Sequence, residues 1–215
     1  MTRTHPMTTA PQTTRPPLPV LQGERCLLRA VVAADAAALR PHADDPAVAR
    51  RMLDGFPSPY TEAAARAWCE TEANGGHFGS VWAIVVDGAA IGCIGLVQDE
   101  GWLRCNADIG YWIGQAYWRR GIGTDAVRQV IDWAFAVKPE LTRIQASIFA
   151  DNEASMALAR RCGFVREGVM KQSAIKDGRV IDRVLWASYR PRSVRRDADI
   201  DAALAISANN AMERA

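Results

Sequence analysis

Between Asn106 and Val127 the chain reads Asn-Ala-Asp-Ile-Gly-Tyr-Trp-Ile-Gly-Gln-Ala-Tyr-Trp-Arg-Arg-Gly-Ile-Gly-Thr-Asp-Ala-Val, and no other stretch constrains the fold as strongly. Its first third alternates and is rich in Ile, Tyr and Trp, which reads as a strand. Arg119, Arg120 and the Gly121-Ile122-Gly123 turn follow, and then apolar residues at helical spacing. Strand, basic glycine loop and helix start, in that order, build an anion site. Glycine lets the backbone approach a phosphate, and the first-turn N–H groups of the helix point at it with the positive end of the dipole behind them.

A chain of 215 residues accommodates one domain or a tight pair, with a core of useful size. A formal net charge of +2 is too near neutral for a nucleic-acid binder driven by bulk electrostatics. The five cysteines are odd in number and contain no Cys-x-x-Cys pair, so they read as reduced, mostly buried thiols of a cytoplasmic protein. No apolar run is long enough to cross a membrane, and the N-terminus lacks the apolar block of a signal peptide. Residues 1–20, rich in Thr and Pro, are expected to be a disordered leader. Residues 21–190 are expected to form the domain. The tail over 191–215 is basic, then Ala-rich and weakly helical, and it leaves packing, homodimer contacts and fraying all open.

Within the domain, Glu24–Arg29 reads as a strand, and Ala33–Leu39 and Pro46–Met52 as short helices, the second capped by Asp45. Thr61 opens an amphipathic helix to Ala73 with Ala64, Ala65, Trp68 and Cys69 inward. Phe78–Val86 and Ala89–Val97, joined at Asp87-Gly88, carry a strong hairpin signal. A third strand is expected from Trp102 to Ile113. A helix over Thr124–Val137, a strand over Ile144–Phe149, a helix over Glu153–Cys162 and a closing hairpin around Lys176-Asp177-Gly178 complete the chain. The order predicts an α/β (α+β) fold, a mixed and mostly antiparallel central sheet flanked by helices.

The glycine loop formally fits Gly-x-Gly-x-x-Ala, the dinucleotide fingerprint. The glycines lie several residues past the strand, antiparallel hairpins precede them, and the acidic residue expected ~20 positions on, at the tip of the next strand, has no clean candidate, Asp151 lying too far along. A Walker-type loop fails because no Gly-Lys-Ser/Thr follows. The bland alternative is a strand-to-helix connection with glycines for packing.

Three motifs in this order resemble the GNAT (GCN5-related N-acetyltransferase) superfamily. The first is Trp118-Arg119-Arg120-Gly121-Ile122-Gly123, similar to its Gln/Arg-x-x-Gly-x-Gly/Ala coenzyme motif, with Trp at the first position. That departure, and the strand Ala107-Asp108-Ile109-Gly110-Tyr111-Trp112-Ile113, resemble the branch of the ribosomal-protein N-acetyltransferases RimJ and RimL. The second is Asp151-Asn152-Glu153-Ala154-Ser155 followed by Arg160-Arg161-Cys162-Gly163-Phe164; the third is Asp177-Gly178-Arg179 through Asp182 and Leu185. The resemblance covers roughly 24–190.

It implies acetyl transfer from acetyl-coenzyme A to a primary amine by direct attack in a ternary complex, with no metal. Tyr111, Trp112, Ile113, Trp118, Arg119, Arg120, Gly121, Ile122, Gly123, Thr124, Asn152, Ser155 and Arg161 are the implied coenzyme residues. Pantetheine is expected where the strand Asp108–Ile113 splays from Ile144–Phe149. A backbone N–H near Trp112 or Ile113 would polarise the thioester. Ser155 is expected to serve the leaving thiolate, since Ala159 stands where many members carry Tyr. Asp108, one methylene shorter than the Glu usual there, is the candidate base, through water; its bland reading is a strand carboxylate paired to an arginine. Lys171-Gln172 is followed by Ser173-Ala174, so the hairpin carboxylate of the stalk-protein acetylating enzymes is absent. A protein N-terminus, a polyamine, an antibiotic or another small amine all stay open as acceptor. A coenzyme or nucleotide binding module without catalysis is the rival reading, and a dinucleotide oxidoreductase the weaker third.

Overall fold

The computed structural model describes residues 17–74, 76 and 79–191. The expected leader falls outside them as far as residue 16, and the expected helical tail falls outside them from residue 192. The strands are β1 (Leu21–Gln22), β2 (Leu27–Ala30), β3 (Ser80–Val86), β4 (Ala89–Gln98), β5 (Asn106–Ile113), β6 (Arg143–Phe149), β7 (Val165–Lys176) and β8 (Arg179–Tyr189). They form one sheet in the order β1-β2-β3-β4-β5-β6-β8-β7. The helices are α1 (Ala36–Ala43), α2 (Pro46–Ala49), α3 (Glu62–Ala73), α4 (Ile122–Val137) and α5 (Glu153–Arg161). This is the mixed, mostly antiparallel sheet with helices that the sequence predicts. Among the described residues no helix is long and apolar enough to cross a membrane.

Two compact units divide the chain. The first takes the residues up to Val97 together with Gly110–Val130, and the second takes Gln98–Ile109 together with everything from Ile131.

In the first unit the Ser-Val-Trp-Ala-Ile-Val-Val run of β3 is buried on both faces, as expected of a central strand. Val81, Ala83 and Val85 pack with Leu39 of α1, Cys69 of α3 and Cys93 of β4, while Trp82 and Ile84 on the other face are fully buried. The β3–β4 turn has Asp87 at φ 50° and Gly88 at φ 81°, the paired positive angles that make Asp-Gly a hairpin former. Thr61 caps α3 by accepting the Ala64 N–H, and Asp45 caps α2 by accepting that of Ala47.

Four boundaries differ from expectation by more than two residues. The strand expected over Glu24–Arg29 begins only at Leu27, as β2, because the N–H groups of residues 24–26 bond to a side chain instead of a ladder, and a short β1 precedes the expected range. Helix α1 runs past Leu39 through Pro41. Helix α2 stops at Ala49, after which Arg51 and Met52 make i→i−3 bonds. Strand β5 starts at Asn106 rather than Trp102, since Gly101 (φ 60°) opens a 3-10 turn through Leu103 and leaves Trp102 86 % exposed.

In the second unit β5 and β6 pair in parallel at Asn106↔Arg143, Ala107↔Ile144 and Asp108↔Gln145. Strand β8 lies antiparallel to β6 along its whole length and carries the β7 hairpin, turned at Asp177 (φ 49°) and Gly178 (φ 73°). Arg190 closes the unit from behind. Its guanidinium donates to the carbonyls of Leu141 (2.8 Å) and Lys138 (2.6 Å) and to that of Phe135, capping the end of α4.

The first unit contains one ion pair with a clear energetic role. Arg29 of β2 forks onto Asp35, two N–H···O bonds of 2.7 Å, and Asp35 also accepts the Val32 N–H at 2.9 Å. Burial alone would raise the Asp35 carboxyl, but the Arg29 fork and the Val32 N–H outweigh it and hold it below its ordinary value. A depressed acid stabilises the fold above its unfolded pKa of about 3.9, and that stability disappears as pH falls through the folded value. Asp35→Ala leaves a partly exposed guanidinium unpaired and is expected to cost about 2 kcal/mol in urea denaturation at pH 7. The difference from the parent chain should shrink as the titration proceeds into acid.

Candidate acetyl-coenzyme A site

The first unit holds the glycine loop. After β5 ends at Ile113, Gly114 donates its N–H to the Ile91 carbonyl at 2.8 Å, and Gln115–Tyr117 form a 3-10 turn. The Trp118 indole N–H folds back onto the Ile113 carbonyl at 2.7 Å. Arg119 (φ 59°) and Gly121 (φ 78°) are both left-handed, so the backbone doubles over and enters α4 at Ile122. The Asp125 N–H closes the first bond of this helix onto the Gly121 carbonyl at 3.0 Å. A Cβ at Gly121 would lie 2.9 Å from Nε and 3.0 Å from Cδ of Arg25.

Asp125, in the first turn of α4, fastens this loop to the β1–β2 turn. Its carboxylate accepts the N–H groups of Glu24 (3.3 Å), Arg25 (2.9 Å) and Cys26 (3.1 Å). Gln129 donates to the same carboxylate at 3.2 Å. Arg25, held in this way, donates to the Arg120 carbonyl at 3.3 Å. Arg120 places its guanidinium 5.4 Å from the Tyr117 ring centre, leaving Arg119 and Arg120 exposed. Beside Asp125 the Cys26 thiol is pushed up to about 12 by burial and by the Asp125 charge, which makes it inert at neutral pH.

Close backbone packing positions the strand ahead of the loop. A Cβ on Gly92 would fall 2.2 Å from the Trp112 carbonyl oxygen, so only glycine allows that approach. The Trp112 ring meets Phe56 edge-on at 5.8 Å, packed against the core cluster of Ala43, Tyr60 and Ala65.

The second unit holds Asp108, Asn152, Ser155 and Arg161. Asn152 caps α5, its side-chain oxygen accepting the Ser155 N–H at 3.2 Å. Arg161 is exposed at the far end of that helix, and Ala159 is buried. Asp108 is half-buried, and its partner is not an arginine but the Gln145 amide, which donates to Oδ1 at 2.9 Å. Burial is the largest influence on this carboxyl and raises it above the ordinary range, with Asp99 adding to the rise. The Gln145 hydrogen bond and the Arg143 and Arg183 charges oppose it. Strand β7 bulges after Met170: Gln172 is left-handed and its N–H is held by Asp182 at 2.8 Å.

Residues 25–165 match the family model described as an acetyltransferase (GNAT) domain. The chain belongs to the GNAT acetyltransferase family. An uncharacterized N-acetyltransferase of Bacillus subtilis, YoaA, is 36 % identical over 86 residues, 40 % of this chain and 48 % of that protein. The ribosomal-protein-serine acetyltransferase of Escherichia coli is 33 % identical over 85 residues, 40 % of this chain and 47 % of the enzyme. The alignments therefore span about half the length of these curated relatives. RimJ of Mycobacterium smegmatis, solved in complex with CoA-disulfide, superposes with a TM-score of 0.71 at 26 % identity, covering 81 % of this chain and 90 % of RimJ.

For this GNAT chain the loop fits a coenzyme carrying a pyrophosphate. The fit rests on the left-handed turn at Arg119 and Gly121 and on the N-terminus of α4 that follows it. Sequence reasoning missed Asp125, Arg25 and Gln145. Asp125 reads in sequence as an ordinary first-turn acid. The signal that could have exposed it is Gly23, whose Cβ would fall 2.3 Å from the Asp125 carboxylate.

Gly121→Val forces a β-branched residue into the left-handed region against Arg25, a strain of about 1–2 kcal/mol before any clash. Calorimetric titration with coenzyme A should show affinity lowered at least ~10-fold, the loss of one well-made phosphate contact. An unchanged Kd in a folded variant would remove the loop from the site.

Proposed function

We propose that the protein transfers the acetyl group of acetyl-coenzyme A to a primary amine, a protein N-terminal α-amine or a small-molecule amine, by direct attack in a ternary complex. The observation that carries this reading is the doubled-back turn Arg119–Gly121 opening directly into α4, in a chain of the GNAT family. The amides from Arg119 to Thr124 hold the pyrophosphate, with Arg119, Arg120 and Arg161 supplying positive charge. The backbone of Tyr111, Trp112 and Ile113 pairs with the pantetheine amides, and an N–H there polarises the thioester carbonyl, an effect worth several kcal/mol in such sites. Trp118 walls the loop. Asn152 and Ser155 serve the pantetheine and thiol end, Ser155 stabilising the leaving thiolate. When bound, acetyl-coenzyme A supplies the activated acyl group.

Attack requires a neutral amine, so a base must take one proton from it. Asp108 is that base, through a water. Its raised pKa suits the role, because a carboxylate that is harder to ionise holds a proton more readily. The likeness to the ribosomal-protein-serine acetyltransferase of E. coli favours a protein acceptor.

The test is transfer from acetyl-coenzyme A to a panel of N-terminal peptides and small amines. Tight coenzyme binding with no turnover on any acceptor would replace the enzyme by a binding module. On the best acceptor, Asp108→Asn should lower kcat by about 10²–10⁴. In the parent chain activity should rise with pH as Asp108 ionises, with its midpoint above the ordinary aspartate value of about 3.9. That acid limb should be missing from the Asn variant. Ser155→Ala should lower kcat while leaving coenzyme affinity nearly intact; equal turnover would strike it from the mechanism.

A further inference from the structure

Asp108 does not stand alone on its face of the sheet. Asn106 and Asp108 of β5, Arg143 and Gln145 of β6, Glu167 of β7 and Tyr189 of β8 all lie in the second unit, and their hydrogen bonds connect in series. Arg143 donates through Nε to Glu167 at 3.1 Å and through Nη2 to its other oxygen, a bidentate fork. Tyr189 donates its hydroxyl to the same carboxylate. The remaining nitrogen, Nη1, donates to Gln145 Oε1 at 2.5 Å and Asn106 Oδ1 at 3.2 Å. Gln145 then donates through Nε2 to Asp108 Oδ1 at 2.9 Å.

The chemistry of the members fixes the direction of this chain. A guanidinium has donors and no acceptor, so the end of Gln145 that faces Arg143 must be its oxygen. The end that faces Asp108 is therefore the NH2. Glu167 and Tyr189 prevent Arg143 from turning away. Burial makes each exchange costly, since Arg143 and Glu167 keep only 19 % and 27 % of their side-chain surface exposed.

We propose that Gln145, locked by Arg143 and Glu167, is a positioning residue that holds Asp108 Oδ1 as a permanent hydrogen-bond acceptor and so assigns the proton taken from the amine to Oδ2. The proposal rests on the reading of Asp108 as the base. In the step it describes, an N–H bond of the protonated amine breaks and its electron pair stays on nitrogen; that pair then forms the C–N bond at the acyl carbon as the thioester C–S bond breaks and coenzyme A leaves as the thiolate. The proton passes through the water, and a new O–H bond forms at Oδ2. Gln145 gains and loses nothing. It prevents the carboxyl from rotating and from accepting the proton on the wrong oxygen. The charged groups acting on Asp108 are Arg143 from β6, Arg183 from β8 and Asp99 from the segment before β5; when Gln145 is changed, Arg143 keeps its bonds to Glu167 and Asn106.

The experiment is carbon-13 NMR of the full chain labelled at aspartate Cγ, with the Asp108 signal assigned by its disappearance in Asp108→Asn. It is read beside pH–rate profiles using acetyl-coenzyme A and a Ser-initiated hexapeptide. Gln145→Met keeps length and removes the donor. The Asp108 midpoint should rise by about one pH unit, the value of one hydrogen bond to a charged group. The acid limb of kcat should follow it, kcat should fall ~10-fold or more, and KM for acetyl-coenzyme A should stay within about twofold. Gln145→Glu keeps the acceptor for Arg143 but places a like charge beside Asp108, and should raise the midpoint further. An Asp108 midpoint unchanged in both folded variants overturns the proposal. If Asp108→Asn abolishes the acid limb while Gln145→Met leaves it in place, the relay is wrong and the base stands. If Asp108→Asn itself keeps full turnover, the base reading falls and the relay falls with it.

Discussion

The carboxylate of Asp125 accepts three successive backbone N–H groups, those of Glu24, Arg25 and Cys26. Much of the first unit depends on that convergence. It replaces the ladder bonds that a continuous strand would have made, and so sets where β1 ends and β2 begins. It places Arg25 against the carbonyl of Arg120, which braces the glycine loop from outside. It also puts a fixed negative charge in the first turn of α4, where the helix dipole favours one. Removing the carboxylate would strand three donors, each a cost of the order of 1–3 kcal/mol if kept from water.

The loop's shape is determined by backbone angles and its charge by side chains. Arg119 and Gly121 supply the left-handed turns, and the amides after them are aimed by the start of α4. Arg119 and Arg120 stay exposed and add a positive field without shaping the cradle. The Trp118 indole is spent on the Ile113 carbonyl and ties the loop back to the end of β5.

The legible parts of this chain were those whose cause is local. Asp87-Gly88 and Asp177-Gly178 turn hairpins because each pair must take two positive φ angles, and that requirement is written in the residue types. The Gly121 turn, the Thr61 and Asp45 caps and the apolar run of β3 were readable on the same terms. The family resemblance made the Asn152 segment readable as well. What could not be read depended on partners far along the chain. Trp102 looked like strand by composition, but Gly101 turns it out to solvent. For Asp108, read as a candidate base, the bland alternative was a pairing with an arginine. In the structure Gln145 stands between them, 37 residues from Asp108 in sequence, and only the parallel register of β5 and β6 brings it there. Arg190 gave no hint that it would cap α4, whose last carbonyls lie more than 50 residues earlier.

That three-pair parallel register carries a burden out of proportion to its length. Ala107 faces the core between two polar neighbours, and Ile144 does the same between Arg143 and Gln145. In a strand the two faces alternate strictly. A slip of one residue would set Ile144 or Ala146 opposite Asp108, turn the glutamine inward and leave the carboxylate with an aliphatic neighbour. Mispairing here would therefore break the Gln145–Asp108 bond at the same moment as it opened the core. The register serves as a checkpoint: a sheet assembled one step out of phase loses its polar network and its packing together.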